Sequence, residues 1–259
     1  MFNIPYDDAV KGGLIFLRVS GIVFTLPIFG DEPTPVRVRI LFSVAIAFLL
    51  YPVIMPEWYR GMPQDAWAFA VMSARELIIG LMLGFVARLV FDGIVMAASI
   101  VGYQMGFGTA NLMIPDANIQ MNSFTATHRI LLMLIFLSLN LHHLYISAIA
   151  DSFRLIPSGF ASLDGGIGEL MVQATASVFV ISVQLSAPVL VALMFTMAAL
   201  GLIARTVPQM NIFTMSFPTS FFIGLLIYIA SLPYFPQLIK TFIAQSNNEI
   251  KAVLRGLAP

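Results

Sequence analysis

Two apolar stretches, Ala66 to Val101 and Met171 to Ala204, set the strongest limit on what this chain can fold into. A bilayer hydrocarbon core about 30 Å thick is crossed by roughly 20 helical residues. At 1.5 Å per residue, the first stretch (about 36 residues) would reach about 54 Å as one helix, and the second falls only slightly short of that. Each must therefore fold back as a hairpin or stand partly outside the lipid within a larger assembly. The first carries Arg75-Glu76 and, further on, Arg88 and Asp92. The second has Pro188 near its centre, where a missing backbone donor kinks a helix.

Shorter apolar runs complete a six-segment pattern. They are Gly12 to Phe29, interrupted by Arg18 and Pro27; Ile40 to Met55; Ile130 to Ala150; and Ile212 to Leu232, with Pro218 inside. Hydrophobic residues make up 59% of the chain and charged residues 10%, and the mean hydropathy is +0.92. A soluble domain carries about 25% charged residues, so there is too little charge here to clothe a water-facing surface. The expected fold is all-α: one polytopic membrane domain over residues 1–259, with long kinked helices and helical hairpins. The 13 basic and 13 acidic residues balance, which argues against nucleic-acid binding. The opening carries Asp7 and Asp8 where a cleavable signal would be basic, so the first run is expected to stay in the mature protein. On six crossings, Lys11, Arg60, Arg154, Lys240, Lys251 and Arg255 outweigh Arg37, Arg39, Arg129 and Arg205 and favour the termini inside.

Chemistry-bearing residues are few. Arg88 and Asp92 are four apart, share a helix face and can pair. Arg75 and Glu76 are adjacent and cannot share a face, so each needs a partner elsewhere. Charges at bilayer depth are costly, so these four are expected in contacts between helices or subunits, or where a helix leaves the lipid. His128, His142 and His143 lack the spacing of a metal site. Gly166-Ile167-Gly168-Glu169 only superficially resembles an intramembrane protease motif. Neither a phosphate-cradling loop nor a nucleophile elbow is present, and cysteine is absent. No enzyme, cofactor or metal is expected. The connector from Gly102 to Arg129 is glycine-rich and dotted with Met105, Phe107, Met113 and Met121. Methionine fills irregular gaps and adapts to its neighbours. These residues either pack ordinarily or seal a constriction.

Several motifs fall in one order: Arg18-Val19-Ser20-Gly21, Pro27-Ile28-Phe29-Gly30 and Pro35-Val36-Arg37; then Arg75-Glu76 with Gly80, Gly84 and Phe85. Gly102-Tyr103-Gln104-Met105-Gly106 with Pro115, and His142-His143 with Ser152-Phe153 and Pro157, come next. Pro208-Gln209-Met210-Asn211-Ile212-Phe213, closed by Pro218 and Gly224, ends the series. The chain thereby resembles, over its whole length, the FliR-like family of type III export-gate proteins. The resemblance implies a flagellar export gate built with FliP- and FliQ-like subunits in the bacterial inner membrane at the flagellar basal body. It also implies an FlhB-like protein at the gate's cytoplasmic mouth and unfolded flagellar proteins as cargo. By position, Gly106 to Asn122 corresponds to a loop that plugs the channel, with Gly106, Phe107, Leu112, Met113, Ile114 and Pro115 as its plug and gasket residues. The equivalent subunit of a virulence injectisome and a small-solute transporter are the alternatives.

Overall fold

The computed structural model describes residues 6–26, 34–58, 65–107, 123–157, 166–207 and 212–258. These residues are helical, in the order α1 (Tyr6–Thr25), α2 (Val36–Trp58), α3 (Ala66–Gln104), α4 (Ser123–Ser138), α5 (His142–Leu155), α6 (Gly166–Thr206) and α7 (Ile212–Ser231). A short 3₁₀ turn (Leu232–Tyr234) then leads into α8 (Phe235–Leu257).

Both overlong stretches are single helices. α3 runs for 39 residues and α6 for 41, with Pro188 inside, and neither folds back as a hairpin. At 1.5 Å per residue each spans about 60 Å, twice the bilayer core. Among the described residues, Val36–Ile54, Ala66–Gln104, Gly166–Thr206 and Met215–Leu257 are long and apolar enough to cross a membrane. The α4–α5 pair would add a fifth crossing if counted as one span. Among the described residues the pattern is thus four long apolar spans, or five with the bent pair, in place of six regular ones. The first expected segment is not among these spans: α1 starts at Tyr6 and carries Asp7, Asp8, Lys11 and Arg18 within its 20 residues. The expected run Ile130 to Ala150 is broken by a 70° bend between α4 and α5. Asn140 sits at the bend with φ +54°, a left-handed conformation that asparagine tolerates better than most residues. Large apolar side chains remain exposed, among them Leu41, Phe48 and Leu49 on α2 and Met194 and Phe195 on α6. A face of that kind needs lipid or a protein partner.

The chain divides into two compact units. The first comprises Met1–Phe91, Leu141–Thr175 and Ile243–Pro259. Here α1 and α3 cross at glycines. A methyl group at Gly21 would lie 2.9 Å from the Leu77 carbonyl oxygen and the Leu81 nitrogen, Gly80 abuts the Arg18 carbonyl, and Gly84 abuts Thr25. Small residues permit this backbone approach, the usual device where helices pack without a water-driven force between them. The approach brings Arg18 to Glu76: Nε donates to Oε2 at 2.6 Å, and neither side chain has any exposed surface. Arg18 also donates from Nη1 to the Ser152 carbonyl at 2.8 Å and from Nη2 to the Ile156 carbonyl at 3.2 Å. Its guanidinium stacks 4.6 Å from the Phe153 ring centre. A cation at the end of α5 takes the Ile156 carbonyl, adds a second bond to the Ser152 carbonyl (which also accepts the Ile156 N–H at 3.1 Å), and complements the helix dipole. Glu76's distant partner, required by its sequence position, is therefore Arg18. In the same unit, α8 buries Ile243, Ile250, Val253, Leu254 and Leu257, while Gln245, Asn248 and Arg255 face out.

The second unit comprises Asp92–Asn140 and Ala176–Phe242. α3 meets α6 closely at Gly93, where a methyl group would lie 3.1 Å from the Val178 carbonyl oxygen and 3.2 Å from the Ile181 side chain. Val101, Met105, Val189 and Leu193 form the buried core near the end of α3, with Phe107, Phe124 and Tyr228 packed against it.

Removing one member of a buried pair strands the other charge and typically costs 3–5 kcal/mol, whereas replacing both by apolar groups is far milder. Glu76→Leu should lower the unfolding free energy of the detergent-purified chain by about 3–5 kcal/mol in a denaturant titration. Arg18→Met combined with Glu76→Leu should recover much of that loss. A Glu76→Leu protein as stable as the parent would remove the pair from its anchoring role.

Candidate functional site

The long connector leaves α3 through a glycine cap. The Gly106 N–H donates to the Tyr103 carbonyl at 3.0 Å, and the Phe107 N–H donates to the Gly102 carbonyl at 3.0 Å. That pair of bonds is a Schellman ending, which requires the residue after the helix to adopt positive φ; Gly106 has φ +91°. Glycine is required there a second time by space, since a methyl group would lie 2.6 Å from Cδ2 of Phe217. Met105, just before it, is fully buried. Residues 108–122 lie outside the described residues, and Leu112, Met113, Ile114 and Pro115 with them.

The connector returns at α4 beside its point of departure. The Phe107 ring centre lies 5.6 Å from that of Phe124 and 5.5 Å from that of Phe221. Phe124 meets the edge of Tyr228 at 4.8 Å. One turn on, His128 Nδ1 and the Tyr228 hydroxyl are hydrogen-bonded at 2.8 Å, and His128 packs against Phe235 with ring centres 5.4 Å apart. The Ser99 and Thr125 hydroxyls lie 3.3 Å apart. Thr125, His128, Leu132 and Phe136 form the buried stripe of α4; their spacing of three and four residues puts them on one helix face.

The other half of the clamp is one face of α7. Phe217 covers Gly106, Phe221 covers Phe107, Gly224 receives Met105 and Tyr228 meets Phe124 and His128. A methyl group at Gly224 would lie 2.6 Å from Cγ of Met105. The cluster's hydroxyl–imidazole contact, Tyr228 with His128, is packed against the rings of Phe124 and Phe235. Among the described residues there is no group of three or more His, Cys, Asp or Glu able to hold a metal. What the arrangement can do is mechanical: it fixes where the two limbs of a loop begin and end.

Of the residues singled out by sequence, Gly106 and Phe107 belong to this clamp. Glu76 lies in the first unit's buried pair. Arg75 is exposed, and Arg88 and Asp92 are half-buried along α3. In the Pro208-Gln209-Met210-Asn211-Ile212-Phe213 motif, Ile212 and Phe213 open α7, and Pro208 to Asn211 lie outside the described residues. Sequence reasoning missed the role of α7, although the spacing of Phe217, Phe221, Gly224 and Tyr228 marks one helix face.

A family model described as "Bacterial export proteins, family 1" matches residues 10–246. The chain is 33% identical to the flagellar biosynthetic protein FliR of Caulobacter vibrioides, over 85% of this chain and 87% of that protein. It is 30% identical to the FliR of Bacillus subtilis over 83% of each chain. To the Escherichia coli FliR it is 28% identical, over 84% of this chain and 82% of its relative.

A side chain at Gly106 would meet both a left-handed backbone, which costs about 1–2 kcal/mol outside glycine, and the Phe217 ring. Gly106→Val should therefore lower the thermal midpoint of the purified protein. Gly201→Ala, at a helical site with nothing within 4 Å, should leave the midpoint unchanged or raise it, since glycine in a helix costs about 0.5–1 kcal/mol relative to alanine. Equal midpoints for Gly106→Val and the parent would dissolve the capping argument.

Proposed function

The chain belongs to the bacterial export proteins of family 1, and from that premise we propose that it is a membrane subunit of the flagellar protein-export apparatus. In this reading it joins FliP- and FliQ-like subunits in the inner membrane at the flagellar basal body. Together they form a gate through which unfolded flagellar proteins pass, with an FlhB-like protein at the cytoplasmic mouth. The helix lengths support a shared assembly. α3 and α6 are each about twice as long as the bilayer core is thick, and α2 and α6 expose apolar side chains that water would not tolerate.

The observation that carries the reading within this chain is the clamp. Phe107 and Phe124, at the two ends of the connector, touch each other at 5.6 Å, so the loop from Gly106 to Asn122 leaves and returns at one point. We assign that loop the plug, with Gly106 and Phe107 at its root and Leu112, Met113, Ile114 and Pro115 in the part that closes the lumen. Apolar and thioether side chains there exclude water and ions by packing and dewetting. An entering chain displaces them, and the energy for unfolding and driving it comes from other components. Pro208-Gln209-Met210-Asn211-Ile212-Phe213 leads into α7, the helix that grips both ends of the loop. Arg75, Arg88 and Asp92 serve contacts between helices or subunits.

Deleting residues 106–122 should make cells carrying the assembled gate leak small ions, with FliP- and FliQ-like partners still co-purifying. Unchanged membrane conductance beside intact assembly would eliminate the plug. Exchanging Arg88 and Asp92 for one another should retain assembly if they serve each other; loss of co-purification would assign them partners elsewhere.

A further inference from the structure

The buried stripe of α8 in the first unit is apolar except at one position. Ile243, Ile250, Val253 and Leu254 are buried, and Ser246 among them has no exposed surface. Its hydroxyl has no hydrogen-bond partner among the described residues. Glu249, three residues on, is half-buried. Its Oε1 accepts from the Gln245 amide at 3.3 Å on the exposed side. Its Oε2 points inward, buried and without a partner among the described residues. The buried Tyr145 of α5 faces the same spot, its hydroxyl lying beside Ser246 and in the field of Glu249. We propose that Ser246 Oγ, Tyr145 Oη and Glu249 Oε2 form a binding site for a monovalent metal cation of the sodium type, which fastens α8 to α5.

The three groups present only oxygen, the donor that hard cations take, and together they carry one negative charge. A divalent ion would leave a net positive charge in a dry setting; a monovalent ion balances it. Burying a carboxylate oxygen is unfavourable unless it is paired, and among the described residues no cation pairs with Glu249. Lys11 serves Asp8, Arg18 serves Glu76 and Arg154 serves Asp151. Beside Tyr145 the unit's interior is apolar, with Ile22, Leu83, Ala87 and Ile250 lining a small cavity, so no counter-charge comes from that side. His142 lies three residues before Tyr145 on the same face of α5, and its protonated ring is the rival counter-charge. The carboxylate of Glu249 joins surface to interior, one oxygen on each, which gives an ion a way in. Arg18 already holds the far end of α5; a bound cation would tie the helix to α8 as well, and so stabilise the first unit.

The full chain, purified in a non-ionic detergent with any subunits that accompany it, is melted across a titration of sodium chloride. Choline chloride holds the ionic strength constant. Sodium at tenfold its dissociation constant should raise the thermal midpoint by about 3–6 °C over choline alone. Glu249→Gln keeps the shape of the side chain and should abolish that rise. Should this variant fail to fold, Ser246→Ala removes one oxygen and little volume, and should move the sodium response to several-fold higher concentration. Equal midpoints in sodium and choline for the parent overturn the site. A sodium response that is unchanged in these variants overturns its placement at these residues. A midpoint that rises on acidification, alike in both salts, assigns the counter-charge to a proton on Glu249 or His142 and overturns the cation.

Discussion

The first unit depends on one buried ion pair. Arg18 and Glu76 lie at a helix crossing tight enough for backbone to touch backbone, and Arg18 spends its remaining donors on carbonyls at the end of α5. Three helices are thereby fixed by one guanidinium. Burying a charge is unfavourable unless it is paired and hydrogen-bonded; here Arg18 is paired with Glu76 and donates from Nε, Nη1 and Nη2, while Oε1 of Glu76 accepts no hydrogen bond among the described residues. Such a pair adds little net stability over an apolar equivalent. Its strength lies in selection, because any alternative packing of α1 on α3 would leave a charge in a dry interior. The glycines at 21, 80 and 84 and the ion pair are therefore one device: the first permits the approach and the second accepts no other.

The second unit is held differently. Its centre is aromatic and sulfur-bearing, with Phe107, Phe124, Phe221, Tyr228 and Met105 around the two ends of the connector. Ring contacts of this kind contribute about 0.5–1.5 kcal/mol each beyond burial, less than stranding a buried charge. The two units are thus fastened by different means, a buried ion pair in one and a cluster of ring and thioether contacts in the other.

Much of this was legible before any coordinates. Helix content followed from hydropathy, and the excess length of α3 and α6 followed from counting residues against bilayer thickness. That Glu76 needed a remote partner followed from its adjacency to Arg75. Which residue answered it did not, because pairing across 58 positions depends on the α1–α3 crossing. The break at Asn140 went unread because an asparagine among leucines carries no proline or glycine to announce it. α8 went unread for a different reason. Phe235, Ile239, Phe242, Ile243 and Ile250 recur at helical spacing, but the helix is amphipathic, and its polar face breaks the apolar run that marks the longer helices. The packing around the connector was half visible: Gly106 and Phe107 stood out in a glycine-rich connector, whereas the opposing face of α7 was hidden inside a run apolar on every side.

The first unit is assembled from three stretches far apart along the chain, the last beginning at Ile243. Ribosomes deliver that stretch after the rest of the first unit, and with it the buried Ile250, Val253, Leu254 and Leu257. Until then α1 and α3 can meet, but the hydrophobic interior around them stays open. Long-range closure of this sort is slow and leaves apolar surface exposed while it waits. Shortening α8 should accordingly expose an unfinished core to aggregation or degradation and reduce cellular abundance.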